Sequence, residues 1–210
     1  MPREATLEPG KTMKRASFQP TKGYGLLERF LSYQRIKIAK QLIPLNAQNG
    51  KILDLGCGSF PLFLNSLDFR EKYGIDKCIN IRLANTSLIE QNIEESPFLP
   101  FDSNFFDIVT LLAVTEHIAP DKLDMLISEI YRILKRKGVL IITSPRKWTG
   151  CILRMLAAMN LISREEIKEH KKLYTPQEII RMLRNGRFDK NKIRYGFFEW
   201  GMNSWVQSEK

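Results

Sequence analysis

The segment Lys51-Ile52-Leu53-Asp54-Leu55-Gly56-Cys57-Gly58 constrains this chain more than any other. It reads as a short buried strand that carries an acid and then breaks into glycines, which adopt backbone conformations that strain other residues. A second acid, Asp76, closes the next strand-like run, Lys72-Tyr73-Gly74-Ile75-Asp76. Two carboxylates at the tips of neighbouring parallel strands, with a glycine turn between them, make a nucleoside pocket. The turn lets a ligand approach the backbone, and the second acid accepts from both ribose hydroxyls. Asp54 decides which nucleoside. A dinucleotide would bring its pyrophosphate to the turn, where another negative charge is unfavourable. A sulfonium cofactor with an ammonium group is attracted there instead, so the run points to S-adenosylmethionine rather than NAD.

The rest of the chain supplies a matching frame. Apolar residues recur at helical spacing from Gly25 to Ile43 and stop at Pro44. Strand patterns follow at Lys51–Leu55, Lys72–Ile75, Ser87–Gln91, Phe106–Leu112 and Val139–Thr143. Helix patterns alternate with them at Pro61–Leu67, Ile79–Ala84 and Asp121–Leu134. The Lys135-Arg136-Lys137 cluster and Gly138 suit a helix C-terminus. Trp148 to Ile162 interrupts the alternation with an apolar, helix-like stretch. Thr175-Pro176-Gln177-Glu178 is a capping box opening a helix to Arg184, closed by Gly186. Lys192–Phe198 and Ser204–Gln207 are close enough to form a hairpin. The alternation predicts an α/β fold with a mostly parallel sheet and helices on both faces, and the hairpin makes one strand antiparallel.

With 210 residues the chain suits a flexible arm over residues 1–22 and a single domain over 23–210. That domain divides into a cofactor core (48–145), a lid insertion (144–174), and a C-terminal helix and hairpin (175–209). The net charge of the whole chain, +10, is uneven: +7 over residues 1–51, −4 over 52–145 and +7 over 146–210. An acidic core with basic flanks would present a positive mouth to an acceptor if the flanks fold over the strand tips. The cysteines, Cys57, Cys78 and Cys151, are scattered and have no metal-ligand spacing, so no metal is expected. The first twenty residues lack an apolar signal core, and no apolar stretch reaches the roughly 20 residues of a membrane span, so a cytoplasmic location is expected.

Four segments in order carry a family resemblance: Ile-Leu-Asp-Leu-Gly-Cys-Gly (52–58), Tyr-Gly-Ile-Asp (73–76), the run from Asn92 to Val109, and Glu-His-Ile (116–118) ahead of Leu-Lys-Arg-Lys-Gly-Val-Leu (134–140). With them the chain resembles the class I S-adenosylmethionine-dependent methyltransferases of the methyltransferase type 11 (UbiE-like) group. The resemblance implies a Rossmann-like, seven-stranded, mostly parallel sheet with its last strand antiparallel, an N-terminal helix and a lid after strand five. It implies that Gly56, Cys57 and Gly58 pass close to the methionine moiety and that Asp54 holds its ammonium directly or through water. Asp76, with Lys77 beside it, would bind the ribose, and Asn92 and Ile93 the adenine. Leu112 and Ala113 would lie under the methionine. Phe60 stands where the family usually has a third glycine, so this turn must be rebuilt, and the adjacent Pro61 suggests a defined alternative.

Methyl transfer from a sulfonium needs alignment more than acid–base help, since the leaving group is already cationic. No residue therefore has to be catalytic, and His117 is a candidate base beside its simpler reading as helix-start packing. Tyr24, Arg35, His117, Trp148, His170 and Tyr174 are candidates for the acceptor site. The expected acceptor is a small or lipid-linked metabolite, anionic ones included, and peripheral membrane contact stays open through the Trp148 to Ile162 stretch. Leu112-Ala113-Val114-Thr115 replaces the Asn/Asp-Pro-Pro-Tyr/Phe motif of base-amine methyltransferases, so specific nucleic-acid binding is not expected. RNA stands second because of the basic flanks, and a cofactor-binding protein without transferase activity stands third.

Overall fold

The structure, a computed structural model, describes residues 26–149 and 171–210, with side chains from residue 30 onward. The arm over 1–22, Tyr24, His170 and most of the 144–174 insertion lie outside the described residues. Seven strands form one sheet: β1 (Lys51–Leu55), β2 (Glu71–Asp76), β3 (Thr86–Glu90), β4 (Phe106–Leu112), β5 (Leu134–Pro145), β6 (Ile193–Phe198) and β7 (Asn203–Glu209). Their order is β3-β2-β1-β4-β5-β7-β6. The first five are parallel, and β7 runs antiparallel to both β5 and β6.

Strand period divides the core. Leu53, Leu55, Val109, Leu111, Leu140 and Ile142 face one layer. Ile52, Ile108, Val139 and Ile141 face the other. The first layer is covered by α3 (Pro120–Ile133) and α4 (Pro176–Asn185), whose buried residues include Leu126, Ile130, Ile179 and Leu183. The second is covered by α1 (Leu26–Leu42) through Ala39 and by the single-turn α2 (Leu62–Asn65) through Phe63 and Leu64. These central strands read as apolar runs because both faces are buried.

Three local expectations change. Ile79–Ala84 forms no helix. The run is too short to offset helix nucleation; Cys78 N–H turns back to Asp76 Oδ1 (3.0 Å), and Asn85 ends the loop at φ 56°. The Pro61–Leu67 helix shortens to α2. Lys135–Lys137 do not end a helix, since α3 stops at Ile133 and these residues open β5 with an irregular register. Lys137, at φ 65°, donates its N–H to Lys210 O (3.1 Å), and Lys210 Nζ donates to Leu134 O (2.7 Å), so the residue after β7 holds this stretch in the sheet.

The capping box of α4 is present in full: Thr175 Oγ1 accepts from Glu178 N–H (3.2 Å), and Glu178 Oε2 accepts from Thr175 N–H (2.8 Å). Thr175→Ala should therefore lower stability by about 1 kcal/mol. This is a fall of about 2–4 °C in Tm for a chain of this size, and Thr175→Ser should recover most of it in thermal unfolding.

Candidate cofactor and acceptor site

Strand order reverses between β1 and β4, and in open α/β sheets ligands bind beyond the carboxyl ends of the strands at such a point. Gly56 and Gly58 follow β1 at φ 73° and 78°, the left-handed region that favours glycine. A side chain on Gly56 would collide with Val114, which ties the turn to the loop after β4. One on Gly58 would meet nothing within 4 Å, so there the backbone faces open space. Gly58 N–H donates to Asp76 Oδ2 (2.8 Å), and Cys78 N–H takes Oδ1. Asp76 thus clamps the glycine turn and keeps lone pairs on both oxygens.

Asp54 is 3% exposed and lies on the same sheet face as Ile52 and Ile108. Its Oδ1 accepts from Thr110 Oγ1 (2.6 Å) on the neighbouring strand. Burial pushes its carboxyl up to about 7; the Thr110 hydrogen bond opposes this, and the charge of Asp76 adds to it. The Cys57 thiol is pushed up as well, first by burial and then by Asp54 and Asp76, which makes it unreactive.

The rebuilt turn at Phe60 is an inverse γ-turn. Pro61 sits at φ −74°, ψ 73°, and Leu62 N–H reaches back to Phe60 O (2.7 Å). Asn92 Oδ1 accepts from Glu94 N–H (3.0 Å), so its side chain shapes its own turn and keeps one lone pair. Ile93 is buried beside it, and Lys77 pairs with Glu94 (3.6 Å). Leu112 ends β4, and Ala113, at φ 58°, donates its N–H to Thr143 O (2.9 Å) on β5.

The acceptor candidates separate. Arg35 is half-buried on α1, His117 is half-buried in the turn Thr115–His117, and Trp148 is half-exposed beyond β5. Tyr174 belongs to the core: it is 1% exposed, and its hydroxyl donates to Ile118 O (2.9 Å). Burial drives that hydroxyl up to about 12. Trp200 is 88% exposed at the tip of the last hairpin. Thr110, Thr143, Glu199 and Asn203 went unread in the sequence. The signal for the last two was an acid ahead of the Trp200-Gly201 turn, which antiparallel pairing returns to the carboxyl ends of the parallel strands.

Asp54 sets a pH dependence. Its folded-state value, raised from 3.8 to about 7, means that its contribution is full below pH 4 and is lost as pH rises through 7. Asp54→Asn, which keeps an oxygen for Thr110, should stabilise the ligand-free protein at pH 8 by up to about 4 kcal/mol and leave it unchanged at pH 4. Parallel stability curves for the two proteins would contradict this.

A methyltransferase-domain family matches residues 27–189. Among known proteins, an uncharacterized protein of Methanocaldococcus jannaschii is 36% identical over 103 residues, 49% of this chain and 44% of that one. A tRNA N(3)-cytidine methyltransferase of Gallus gallus is 25% identical over 141 residues, 59% of this chain and 38% of that one. The chain thus matches less than half the length of either relative. The crystal structure of an S-adenosylmethionine-dependent methyltransferase from Archaeoglobus fulgidus superposes with a TM-score of 0.66 at 17% identity, covering 88% of this chain and all of that one. The chain belongs to the methyltransferase-domain family and has the class I, S-adenosylmethionine-dependent methyltransferase fold.

Proposed function

We propose that this chain transfers a methyl group from S-adenosylmethionine to a small or lipid-linked metabolite. The observation that carries the reading is the buried Asp54 carboxylate beside a glycine turn that Asp76 clamps. Among the described residues this buried acid has one hydroxyl partner and no counter-charge, and the cofactor's ammonium supplies one, directly or through water. Asp76 holds the ribose with its remaining lone pairs, with Lys77 at the rim. Gly56, Cys57 and Gly58 give the methionine a backbone wall, Leu112 and Ala113 its floor. Asn92 and Ile93 receive the adenine. The cofactor supplies an electrophilic methyl carbon and a neutral leaving group. The chain's part is to bring the acceptor atom in line at about 3–3.5 Å and to exclude water. The division into arm, core, lid insertion and C-terminal hairpin belongs to the same proposal, with the insertion over 144–174 closing the acceptor side.

Charge pairing favours a small acceptor over a polynucleotide. Lys77 and Lys171 both reach Glu94 (3.6 and 3.2 Å), and Lys147 and Lys172 both reach Glu178 (2.9 and 3.3 Å). The basic rim is thus partly neutralised from within. RNA is the second reading, favoured by the tRNA-modifying relative and the net charge of +10. Among the described residues no helix is long and apolar enough to cross a membrane.

Calorimetry tests the reading. S-adenosylmethionine and S-adenosylhomocysteine should bind and NAD should not. Asp76→Ala should weaken binding by roughly 1.5–3 kcal/mol for each charge-assisted bond lost, as an upper range. Tight NAD binding with none for the methyl donor would reject it. In the same series, a tRNA should bind weakly and lose affinity steeply with salt. A nanomolar complex at physiological ionic strength would move the acceptor to RNA.

A further inference from the structure

The carboxyl end of the sheet carries a second polar cluster, on the same face as Asp54. Strand period sets that face. Gln207 points toward α1, where its Nε2 donates to Leu42 O (2.7 Å), so Trp205 and Asn203 share the α1 side. On β5 the same period places Thr143 with Val139 and Ile141. Thr143 is 1% exposed, and its Oγ1 has no hydrogen-bond partner among the described residues. A buried hydroxyl left unbonded is costly and asks for a ligand or a water.

Glu199 is held at the same end of the sheet. Asn203 pairs with Pro145, just beyond Thr143, and its Nδ2 donates to Glu199 Oε2. Glu199 Oε1 is buried without a partner among the described residues. The hairpin tip that holds it is fixed: Glu199 and Trp200 both sit at φ 52°, and Arg146 ties the tip down through its N–H to Met202 O (2.9 Å) and its Nη1 to Gly201 O (3.2 Å). In the turn after β4, Glu116 is 3% exposed, two residues beyond the Val114 that packs on the cofactor turn, and its Oε2 accepts from Thr115 Oγ1 (3.4 Å).

Arg35 closes the cluster from above. Beyond Leu42, the chain descends through the turn Leu45–Ala47 to the start of β1, so Arg35 lies toward the carboxyl end of the sheet. About 10 Å of helix separates Leu42 from Arg35. About 13 Å of strand separates Gln207 from Asn203. The guanidinium is therefore carried toward the level of the hairpin tip. Its charge is felt by both Glu116 and Glu199, yet among the described residues it forms an ion pair with neither. Arg35 thus stands near both carboxylates without pairing with either.

We infer that Arg35, Glu116, Thr143, Glu199 and Asn203 form the acceptor subsite, and that it takes a small compound rich in hydroxyl or amino donors. The lining is rich in acceptors: two carboxylates, the Asn203 Oδ1 left over from the Glu199 bond, and the Thr143 hydroxyl. Arg35 offsets one of the two negative charges and offers a donor fork to an oxygen of the same ligand. Burial raises both carboxyls above the ordinary range, which suits them to take a proton from a hydroxyl or an ammonium presented to the methyl group. The inference rests on the methyltransferase reading and adds the chemistry of its acceptor.

The test uses the full chain saturated with S-adenosylhomocysteine and three probes, ethanolamine, myo-inositol and glucosamine, followed by ligand-observed NMR. At least one probe should bind, and acetate, which only accepts hydrogen bonds, should bind at least tenfold more weakly. Glu199→Gln and Thr143→Val should each weaken the probe at least tenfold while S-adenosylhomocysteine affinity stays within about threefold. If Thr143→Val does not fold, Glu199→Gln decides. Silence from all three probes with S-adenosylhomocysteine still bound, or probe binding that both variants leave intact, overturns the subsite alone. Failure of the wild-type chain to bind S-adenosylhomocysteine overturns the reading beneath it.

Discussion

A carboxylate removed from water needs a partner, and among the described residues the single partner of Asp54 at hydrogen-bond distance is the Thr110 hydroxyl. The remaining imbalance organises the carboxyl end of the sheet. Asp54 is buried because β1 lies between β2 and β4 with both faces covered. It faces Thr110 because parallel pairing sets Asp54 opposite that residue. The glycines beside it are required because the turn must enter the left-handed region twice and pass within contact of Val114. An isolated acid in such a place would simply take up a proton. An acid that meets a cationic ligand regains its charge there, so the site is prepared for an ammonium and not for a phosphate.

The same sheet face extends this logic to the acceptor side. Asp54 and Thr143 lie on different strands and point the same way, and the hairpin returns Glu199 and Asn203 to that end. A parallel β7 would have carried these residues to the opposite rim. The reversed last strand therefore places polar groups over the proposed acceptor subsite, which five parallel strands alone would leave open on that side.

Much of this was legible in the sequence, for physical reasons. The five parallel strands, the capping box of α4 and the glycine turn announce themselves through local period and local chemistry. Asp54 and Asp76 stand out as candidates because an acid at a strand tip is conspicuous in an apolar run. What failed was decided by distant partners. Lys135–Lys137 resemble a helix end until distant partners, Lys210 O for the Lys137 N–H and Asp107 for the Lys135 ammonium, draw them into β5, and Ile79–Ala84 is too short to hold a helix without support. Tyr174 looked like a pocket residue and is a core residue, because the Ile118 carbonyl satisfies its hydroxyl. Thr143 was hidden in an apolar strand, and Glu199 acquires its setting only through the hairpin.

The central claim is that Asp54 is a buried acid completed by a cationic ligand. Carboxyl NMR of Asp54, titrated with and without S-adenosylhomocysteine, tests it most directly. The account predicts a midpoint close to 7 in the free protein, as burial requires, and a fall of at least one unit when the ligand's ammonium arrives. A midpoint near that of an exposed aspartate, or one that the ligand leaves in place, would contradict it.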